Sequence, residues 1–592
     1  MQSFIKLIAF TSLITARVAW GQENTIKLVY PPTNHQTKTD KIFLLGSAPP
    51  NGQVLINGQP IKRSQAGHFA PSFPLKLGEN LFTVRYQNQE LLLRVTRLAN
   101  QAEIPQGLAF APNSLTPAVD ISRLPTEEIC FSALAKLPEG FAPVNAKVAV
   151  NIGKQTVDLL PQPQQISLPS NSAIFINKNQ PVPELTPGKY RGCRKLQTGG
   201  DWQQPEFQLT FNGKTLTQPS SGKVQTLTPH KLPMVEVTAE TAVARTGPST
   251  DYSRLTPLPK GVVAAVTAKE GDWFRLDYGG WINSQETRLL AGTVATSSVI
   301  RSVTSRQLST ATEIIFPLQI PVPVSVTQGD GTFTLTLHNT NAQTDIIRLD
   351  DNPVISRLDW QQIAPKTVQY TFHLKNKQQW GYKLIYKNTS LVLSLRHPPK
   401  IAKKQQQPLS GIKILLNPGQ GGQESGAAGP NGVLAKDLNL QVTKLLRDEL
   451  IKRGATVVMT RQEDQELSLG ERQKMIEQEE PAIALTFHYR FLPDDGDAEN
   501  TKGVSSSWYH PQAQSLAVLL QNRLVKNLGR PSFGVFWNNL ALTRPYSAPS
   551  VLLELGFMSN PDEFEQIVNQ EAQKKKAKAL ADGIVEWFRK VK

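Results

Sequence analysis

Long hydrophobic runs are the first feature that the sequence lacks. After its first residues, no segment approaches the roughly 20 apolar residues that a membrane-spanning helix needs, so we predict no stable membrane span. At the start, Lys6 precedes an apolar run from Leu7 to Ala16, and Ala19 and Gly21 put small residues at the cleavage-type positions. This pattern is typical of a signal peptide over residues 1–21. We therefore predict export to the periplasm or cell wall; the alternative is a buried N-terminal helix.

Cysteine is also scarce, since the 592 residues contain two, Cys130 and Cys193. No more than one disulfide can therefore form within the chain. Both cysteines lie in one middle region of a chain that we expect to be exported, so we predict that they pair. Closing a loop of that length would stabilise the region by about 4 kcal/mol in the chain-entropy model. The alternative is two unrelated buried thiols.

Long basic runs are absent, although the chain is basic overall. Lysine and arginine total 64 against 48 acidic residues, which gives a formal charge of +16. The excess is spread along the chain and is not interleaved with aromatic residues, so nucleic acid is not a predicted partner. A basic exported protein suits an anionic polymer such as a cell wall or a membrane surface, and a merely soluble surface explains the charge equally well.

The length of the chain is too great for one hydrophobic core and predicts several domains. Residues 24–100 alternate apolar and polar side chains between Asn-Gly turns, which predicts a β-sandwich. Residues 105–230 continue in the same manner and form a second predicted all-β module, which contains both cysteines. Neither stretch has catalytic residue types at useful spacing, so we expect these modules to bind a partner or to act as spacers.

The sequence changes character after a polar linker at residues 399–410. Over residues 411–592, apolar strand-like runs alternate with helical patterns, which predicts an α/β domain with a doubly wound sheet. Its first strand ends at Pro418, a glycine-rich loop follows, and a helical pattern opens near Ala435. In such sheets ligands bind at the carboxyl ends of the strands, so we expect chemistry at this loop. The predicted fold class is multidomain, with all-β modules followed by one α/β domain.

Residues 233–292 contain four short motifs, which are Ala244-Arg245-Thr246-Gly247-Pro248-Ser249, Lys260-Gly261, Asp272-Trp273 and Gly280-Trp281-Ile282. With these motifs the stretch resembles the bacterial Src-homology-3-like domain. The resemblance implies a small β-barrel with a shallow aromatic groove, and such modules in exported bacterial proteins often bind peptidoglycan peptides. Trp273 and Trp281 are the candidate ligand-binding residues, although a tryptophan on a strand more commonly belongs to a core.

Residues 298–398 are a further all-β stretch, which includes the strand-like runs ATEIIF, TFTLTL and SLVLSL. The stretch resembles the AMIN domain that is found ahead of cell-wall amidases. This resemblance implies a fourth β module directly before the α/β domain.

The C-terminal stretch carries an ordered series of motifs, which are Asn417-Pro418-Gly419-Gln420-Gly421-Gly422, Gly429-Pro430-Asn431-Gly432, Lys436-Asp437 with Asn439, Thr460-Arg461, Glu471-Arg472, Phe487-His488, Gly503-Val504, Arg544 and Leu553-Glu554-Leu555-Gly556-Phe557. They resemble the zinc-dependent N-acetylmuramoyl-L-alanine amidases of the amidase-3 family over almost the entire domain. That family hydrolyses the amide that joins the lactyl group of muramic acid to L-alanine. Its zinc polarises the carbonyl and lowers the pKa of bound water towards about 7.

The resemblance assigns a role to four positions in this chain. In the family two histidines and one glutamate hold zinc, and a second glutamate is the general base. The first histidine falls on Gln420, the ligand glutamate on Ala435, the second histidine on His488, and the general base on Glu554. Arg544 is assigned to the same catalytic site. Two of three zinc ligands are therefore missing, and His488 alone should not hold zinc tightly.

Other residues are candidates to repair the site, namely Glu424 in the glycine-rich loop, Asp437, and His510 at a strand end. None has a spacing with precedent. Asp437 is better explained as a carboxylate in the first turn of a helix, and His510 as a solvent-side strand end. Without zinc, Glu554 would pair with Arg544, His488 or Gln420, and a lone histidine on an apolar strand is more often a satisfied core residue than a ligand.

Three functions follow from these patterns. The first is an exported pseudoamidase that binds or remodels peptidoglycan, or that regulates another cell-wall amidase or a division protein, without a cofactor. The second is an active N-acetylmuramoyl-L-alanine amidase with a rebuilt zinc site. The third is a structural envelope protein in which the last domain is a spacer.

Overall fold

The computed structural model describes residues 25–99, 108–136, 146–162, 164–169, 171–176, 178–186, 188–196, 201–291, 295–401 and 407–591. The predicted signal peptide lies outside these residues. Within them, none of the helices is both long enough and apolar enough to cross a membrane. The chain consists of several β-sheet modules followed by one α/β domain.

The first β module, residues 25–99, has one five-stranded sheet in the order β2-β10-β9-β5-β6 and two smaller sheets, β1-β4-β7 and β3-β8. Its strands are β1 (Lys27–Tyr30), β2 (His35–Thr37), β3 (Lys41–Phe43), β4 (Leu45–Ser47), β5 (Val54–Ile56), β6 (Gln59–Pro60), β7 (His68–Phe69), β8 (Ser72–Pro74), β9 (Gly78–Tyr86) and β10 (Gln89–Arg97). Phe82, Val84 and Tyr86 alternate along β9 and are buried, because successive side chains of a strand point to opposite faces.

The second β module, residues 108–226, has a seven-stranded sheet in the order β11-β13-β18-β15-β14-β19-β20. Its strands are β11 (Ala109–Phe110), β12 (Ile121–Arg123), β13 (Glu128–Lys136), β14 (Lys147–Ile152), β15 (Gln155–Pro161), β16 (Gln164–Ser167), β17 (Val182–Leu185), β18 (Lys189–Lys195), β19 (Glu206–Phe211), β20 (Lys214–Pro219) and β21 (Val224–Thr226). Cys130 and Cys193 lie directly opposite each other on β13 and β18, and they form a disulfide.

The third β module, residues 233–291, shares a sheet with the second, because β12 and β21 join it in the order β21-β12-β25-β22-β28. The expected boundary near residue 230 therefore does not separate two independent sheets. The strands of the third module are β22 (Met234–Val237), β23 (Thr241–Ala242), β24 (Leu258–Pro259), β25 (Val263–Glu270), β26 (Trp273–Leu276), β27 (Trp281–Asn283) and β28 (Thr287–Leu290).

The fourth β module, residues 295–401, has a five-stranded sheet in the order β33-β29-β30-β37-β36 and a four-stranded sheet in the order β31-β32-β35-β34. Its strands are β29 (Ser298–Gln307), β30 (Ala311–Phe316), β31 (Val324–Gly329), β32 (Thr332–His338), β33 (Thr340–Arg348), β34 (Ile355–Ala364), β35 (Thr367–Leu374), β36 (Tyr382–Lys387) and β37 (Ser390–Arg396). Apolar side chains from both sheets form one core. The descriptions of the β modules as a sandwich, a barrel and an AMIN domain stay predictions.

The C-terminal domain, residues 407–591, has a six-stranded sheet in the order β39-β38-β40-β43-β41-β42. Its strands are β38 (Lys413–Pro418), β39 (Thr456–Met459), β40 (Ile483–Arg490), β41 (Val504–Trp508), β42 (Ser532–Trp537) and β43 (Ser550–Phe557), and its helices are α1 (Ala435–Lys452), α2 (Leu469–Glu479), α3 (Gln514–Leu528), α4 (Pro561–Val568) and α5 (Gln570–Lys590). The first four strands of this order are parallel, whereas β41 runs antiparallel to β43 and parallel to β42.

The mixed strand directions give the sheet two different edges. At one edge, which we call the carboxyl edge, β38, β40 and β43 end. At the opposite edge, β41 and β42 end and β43 begins, because β41 is antiparallel to β43. The two edges are separated by the length of β43, roughly 25 Å for a strand of this length.

Local signals position the helices of this domain. α2 begins with a capping box, in which the Ser468 hydroxyl accepts from the Glu471 N–H while the Glu471 carboxylate accepts from the Ser468 N–H. Asn560 caps α4, and Pro561 occupies its first position. Gly529 ends α3 with a φ of +59°, a left-handed conformation that glycine adopts without strain.

The β modules pack against both edges of the C-terminal domain. Phe43 and Leu45 of the first β module share a buried cluster with Leu492 and Phe557, next to the carboxyl edge. On another side, Trp380 of the fourth β module enters the core of the C-terminal domain and stacks on Phe588, with ring centroids 5.9 Å apart.

Candidate functional site

Two buried arginines hold the glycine-rich loop that follows β38. Arg461 donates from Nη2 to the carbonyl oxygen of Gly419 at 2.9 Å. Arg472 donates to the carbonyl oxygens of Pro418 and Gln420, each at 2.8 Å. Both arginine side chains are 2% exposed. Because a buried cation holds strongly to the oxygens that solvate it, the backbone of this loop has a fixed shape at the carboxyl edge.

His488 lies directly beside this loop. A Cβ atom on Gly419 would lie 2.3 Å from the His488 Nε2, so only glycine fits there. Nε2 is buried and accepts no hydrogen bond from any residue that the structure describes. Burial, together with the charges of Arg472 and Arg461, lowers the pKa of His488 to about 4. The imidazole is therefore neutral at neutral pH.

Glu554 is the register neighbour of His488, since the two residues pair between the parallel strands β43 and β40. Its Oε1 forms an ion pair with Nε of Arg490 at 2.5 Å, and its Oε2 accepts a hydrogen bond from the hydroxyl of Ser505. The side chains of Glu554 and Arg490 are 12% and 15% exposed. The Arg490 guanidinium also lies over the ring of Phe557, 5.9 Å from its centroid. Both carboxylate oxygens of Glu554 are thus engaged within the protein.

The two substituted ligand positions offer nothing to a metal. Asn439 donates from Nδ2 to the Oε1 of Gln420 at 2.8 Å, and the Gln420 side chain packs closely against Gly426. Ala435 is fully buried as the first residue of α1 and has no ligand atom. At the two positions that the resemblance assigns to zinc ligands, this chain therefore has one hydrogen-bonded neutral amide and one methyl group.

The suggested replacement ligands do not repair this arrangement. Glu424 and Asp437 are exposed, and Asp437 lies in the first turn of α1, where the helix dipole favours a carboxylate. His510 follows β41 at the opposite edge, where its Nε2 donates to the carbonyl oxygen of Arg544 at 2.8 Å. It is half-buried, not a solvent-side strand end.

Arg544 also lies at the opposite edge, where its Nη1 donates to the carbonyl oxygen of Asn539 at 3.1 Å. The structure therefore does not bring Arg544 to Glu554. The sequence suggested that Glu554 would pair with Arg544, His488 or Gln420, whereas its ion-pair partner is Arg490, because Arg490 follows His488 by two residues at the end of β40.

The residues at the carboxyl edge do not fit a zinc ion. A catalytic zinc needs three protein ligands. Here Ala435 supplies no ligand atom, the oxygen of Gln420 is hydrogen-bonded, and the cation of Arg490 would repel a metal bound to Glu554. Across the described ranges, no group of three or more histidine, cysteine, aspartate or glutamate side chains could hold a metal ion.

The two candidate tryptophans of the third β module differ in exposure. Trp281 is 7% exposed and lies between two guanidinium groups, those of Arg123 at 5.4 Å and Arg275 at 5.8 Å from its ring centroid. Trp273 is half-buried, with the Arg245 guanidinium 5.9 Å from its ring centroid. Trp281 therefore lies in a contact with the second β module, and Trp273 keeps an accessible face.

Sequence reasoning missed Arg490 and Ser505, the two partners of Glu554. A signal for Arg490 is present, because an arginine near the end of an otherwise apolar strand must find a partner when it is buried. Ser505 carries no such signal, since only the antiparallel pairing of β41 with β43 brings it opposite Glu554.

Comparison with known proteins identifies two of these domains. A family model described as N-acetylmuramoyl-L-alanine amidase matches residues 414–586. The C-terminal domain belongs to this amidase family. A model described as bacterial SH3 domain matches residues 238–288, so the third β module is a bacterial SH3 domain.

Individual proteins are similar to about a third of this chain. The probable cell wall amidase LytH of Staphylococcus epidermidis is 33% identical over 183 residues, which are 31% of this chain and 60% of that protein. LytH of Staphylococcus aureus is 33% identical over 187 residues, which are 31% and 61%. The chain thus spans about three fifths of the length of these relatives. The solved amidase AmiC2 of Nostoc punctiforme is 27% identical over 30% of this chain and 99% of its own, with a TM-score of 0.29.

Proposed function

We propose that this protein is an exported cell-wall protein whose amidase domain binds or remodels peptidoglycan without the zinc-dependent hydrolysis of its family. The observation that carries this proposal is the ion pair between Glu554 and Arg490. A general base must be free to take a proton from an activated water. At this carboxyl edge both oxygens of the carboxylate already hold partners, and two ligand positions have lost their donors.

Several features support peptidoglycan as the target. The two relatives reported above are named probable cell wall amidases. The bacterial SH3 domain, the resemblance of the fourth β module to the AMIN domain, and the signal-peptide pattern of residues 1–21 agree with that location. The glycine-rich loop is already held in a fixed shape by Arg461 and Arg472, so binding there would not have to order it.

The test uses the full-length protein and purified sacculi. We expect the protein to sediment with the sacculi and to release no stem peptides, with or without added zinc. The matched variant is Glu554→Gln, which should bind sacculi and release no stem peptides as the wild type does, because the carboxylate performs no proton transfer; its folding is checked first, since the variant loses the ion pair with Arg490.

Two other outcomes would replace this proposal. Stem-peptide release that needs zinc and disappears in Glu554→Gln would show an active amidase with a rebuilt site. Failure to sediment with sacculi would favour the hypothesis of a structural envelope protein, in which the amidase domain is a spacer. Regulation of another amidase or of a division protein stays a prediction, which sedimentation alone does not test.

A further inference from the structure

A cleft of about 930 Å³ lies at the opposite edge of the amidase sheet. Three parts of the chain form its walls, namely the third β module around Arg254, the fourth β module around Thr327, and the amidase domain around Tyr509, Trp537 and Arg544. The cleft is separate from the carboxyl edge, because Trp508 and Trp537 end strands that are antiparallel to β43, which carries Glu554.

The walls of this cleft are held in place by specific contacts between the modules. Val263 of the third β module donates its N–H to the carbonyl oxygen of Pro321 in the fourth, at 2.9 Å. Tyr382 of the fourth β module donates its N–H to the carbonyl oxygen of Tyr546 at 3.0 Å, and the two rings stack with centroids 4.8 Å apart. These contacts hold the three parts of the chain together, so the cleft is part of the folded structure.

Guanidinium groups gather at the cleft without matching carboxylates. In the portion of the chain that the structure describes, neither Arg254 nor Arg544 forms an ion pair. Burial, together with the charges of Arg254 and Arg245, lowers the pKa of Arg544 to about 10. Neighbouring cations lower the pKa of a guanidinium group because they disfavour its charged form. Arg544 still carries its charge at neutral pH, since a pKa of about 10 is well above 7.

The acidic residues near the cleft have other partners. Glu240 forms an ion pair with Lys260 at 2.6 Å. Glu286 attracts Arg254 and Arg245, but its carboxylate accepts from the backbone N–H of Val243 at 3.2 Å, and burial raises its pKa. Burial also raises the pKa of Glu477, and the charge of Lys383 opposes this rise. None of these carboxylates forms an ion pair with Arg254 or Arg544 among the described residues, so an anion from outside could pair with both guanidinium groups.

An aromatic platform lies beside these cations. Trp537 is 64% exposed, which is unusual for so large an apolar side chain. Its position is fixed, because its Nε1 donates to the carbonyl oxygen of Tyr509 at 2.9 Å and the two rings lie 5.3 Å apart, tilted by 31°. A rigid exposed indole offers a flat apolar face at low entropic cost, and such a face suits the apolar face of a sugar ring.

We propose that this cleft is a second binding site, for a carboxylate-bearing glycan whose anionic groups pair with Arg254 and Arg544 while a sugar ring packs on Trp537. Charge-assisted pairs between guanidinium and carboxylate supply the specificity, and the aromatic platform supplies apolar contact. Two sources have this chemistry. One is a peptidoglycan strand without stem peptides, since loss of the amide to L-alanine leaves a lactyl carboxylate on the sugar. The other is a polymer of uronic acids.

The test measures binding of the full-length protein to four glycans. They are peptide-free peptidoglycan strands, the same strands with their carboxylates converted to amides, polygalacturonate, and neutral chitin oligosaccharides. We expect the carboxylated strands to bind at least tenfold more tightly than the amidated strands or the chitin oligosaccharides, since hydrogen bonds to charged groups have about this value. Tighter binding of polygalacturonate than of the strands would identify uronic acids as the source.

Variants separate the cleft from the rest of the surface. Arg254→Gln and Arg544→Gln should each weaken binding of the carboxylated glycan about tenfold, and Trp537→Ala should do so similarly. The matched controls are Arg348→Gln and Trp360→Ala, which change exposed side chains on other strands of the fourth β module. If Arg544→Gln disturbs folding, Arg254→Gln on the facing wall carries the test alone.

Two results would overturn the inference. One is equal binding of carboxylated and amidated strands, or no binding of either carboxylated glycan. The other is unchanged binding by both Arg254→Gln and Trp537→Ala. This inference goes beyond the proposed function and fails separately from it. A protein that binds intact sacculi but none of the free glycans would contradict the second site alone.

Discussion

The two edges of the amidase sheet differ in how far their charged side chains are satisfied. At the carboxyl edge Glu554 has Arg490 and Ser505 as partners, and the nearby arginines bind loop carbonyls. At the opposite edge Arg254 and Arg544 lie near each other in a cleft of about 930 Å³, beside an exposed tryptophan. At the edge where the family resemblance predicts chemistry, the charged side chains are thus paired within the protein and the neutral Nε2 of His488 is left without a hydrogen bond among the described residues, whereas unmatched charge lies at the other edge.

This difference shows that family membership and ligand binding are separate questions for one domain. The resemblance follows the motifs of the loop and the strands, which preserve the fold. A binding site is better recognised by charged groups that the protein itself leaves without an opposite charge, since such groups cost free energy until a ligand satisfies them. The neighbouring modules also differ, because the first β module packs beside the carboxyl edge while the third and fourth enclose the cleft.

The largest expected effect is the return of zinc binding to the carboxyl edge. The variant Gln420→His/Ala435→Glu/Arg490→Gln puts a donor at each of the two positions that the resemblance assigns to zinc ligands, and it removes the opposing cation. Its zinc affinity should rise at least about a thousandfold over the wild type, since even outer-shell partners of a metal are worth about 10- to 100-fold each. Elemental analysis after dialysis measures zinc per chain. The matched control, Gln420→Asn/Ala435→Gln/Arg490→Gln, should stay without tightly bound zinc; equal zinc in both would contradict the ligand assignment.

The second effect is the loss of the ion pair at the same edge. Arg490→Met leaves Glu554 as a buried unpaired carboxylate, which should destabilise the amidase domain by about 3 to 5 kcal/mol. Hydrogen exchange of the backbone amides in β40 and β43 measures this loss. The double variant Arg490→Met/Glu554→Met should recover most of the stability, because it removes both charges. If the single and double variants exchanged at the same rate, the pair would not be what stabilises this edge.

The third effect concerns how the opposite edge is held together. Trp380 is 5% exposed and lies 5.4 Å from Trp587 and 5.9 Å from Phe588, ring centroid to ring centroid. Trp380→Ala should destabilise the packing of the fourth β module on the amidase domain by about 3 kcal/mol. Trp380→Ala should also weaken glycan binding in the cleft, although Trp380 does not line the cleft. Trp380→Phe should preserve most of the packing stability and most of the glycan affinity. Thermal melting and glycan titration of both variants give the comparison, and unaltered glycan affinity in Trp380→Ala would show that the cleft does not need this contact.

The sequence predicted the all-β modules and the α/β domain, because each depends on local pattern or on ordered motifs. The loss of two zinc ligands stays a prediction from the family resemblance. The sequence predicted neither the partner of Glu554 nor the place of Arg544. Arg544 precedes β43 in the chain, and only the antiparallel entry of β41 puts it at the opposite edge. The cleft could not be predicted from the sequence either, because Arg254 and Trp537 are far apart in sequence and line one cleft only when three modules pack together.

The smallest effect is a pH dependence at the opposite edge that comes from His510. Burial lowers its pKa to about 4, and its neighbours are the carbonyl oxygen of Arg544 and the rings of Tyr509 and Tyr546. In the unfolded chain histidine titrates near 6.5, so between about pH 6.5 and 4 the unfolded state binds more protons and stability falls as the pH falls. The loss amounts to at most about 3 kcal/mol. His510→Gln keeps a hydrogen-bond donor for the carbonyl oxygen of Arg544 but cannot be protonated, so the variant should lose less stability than the wild type across this pH window. Thermal melting of both proteins across the window measures the two losses. Equal losses would mean that His510 protonates freely in the folded protein.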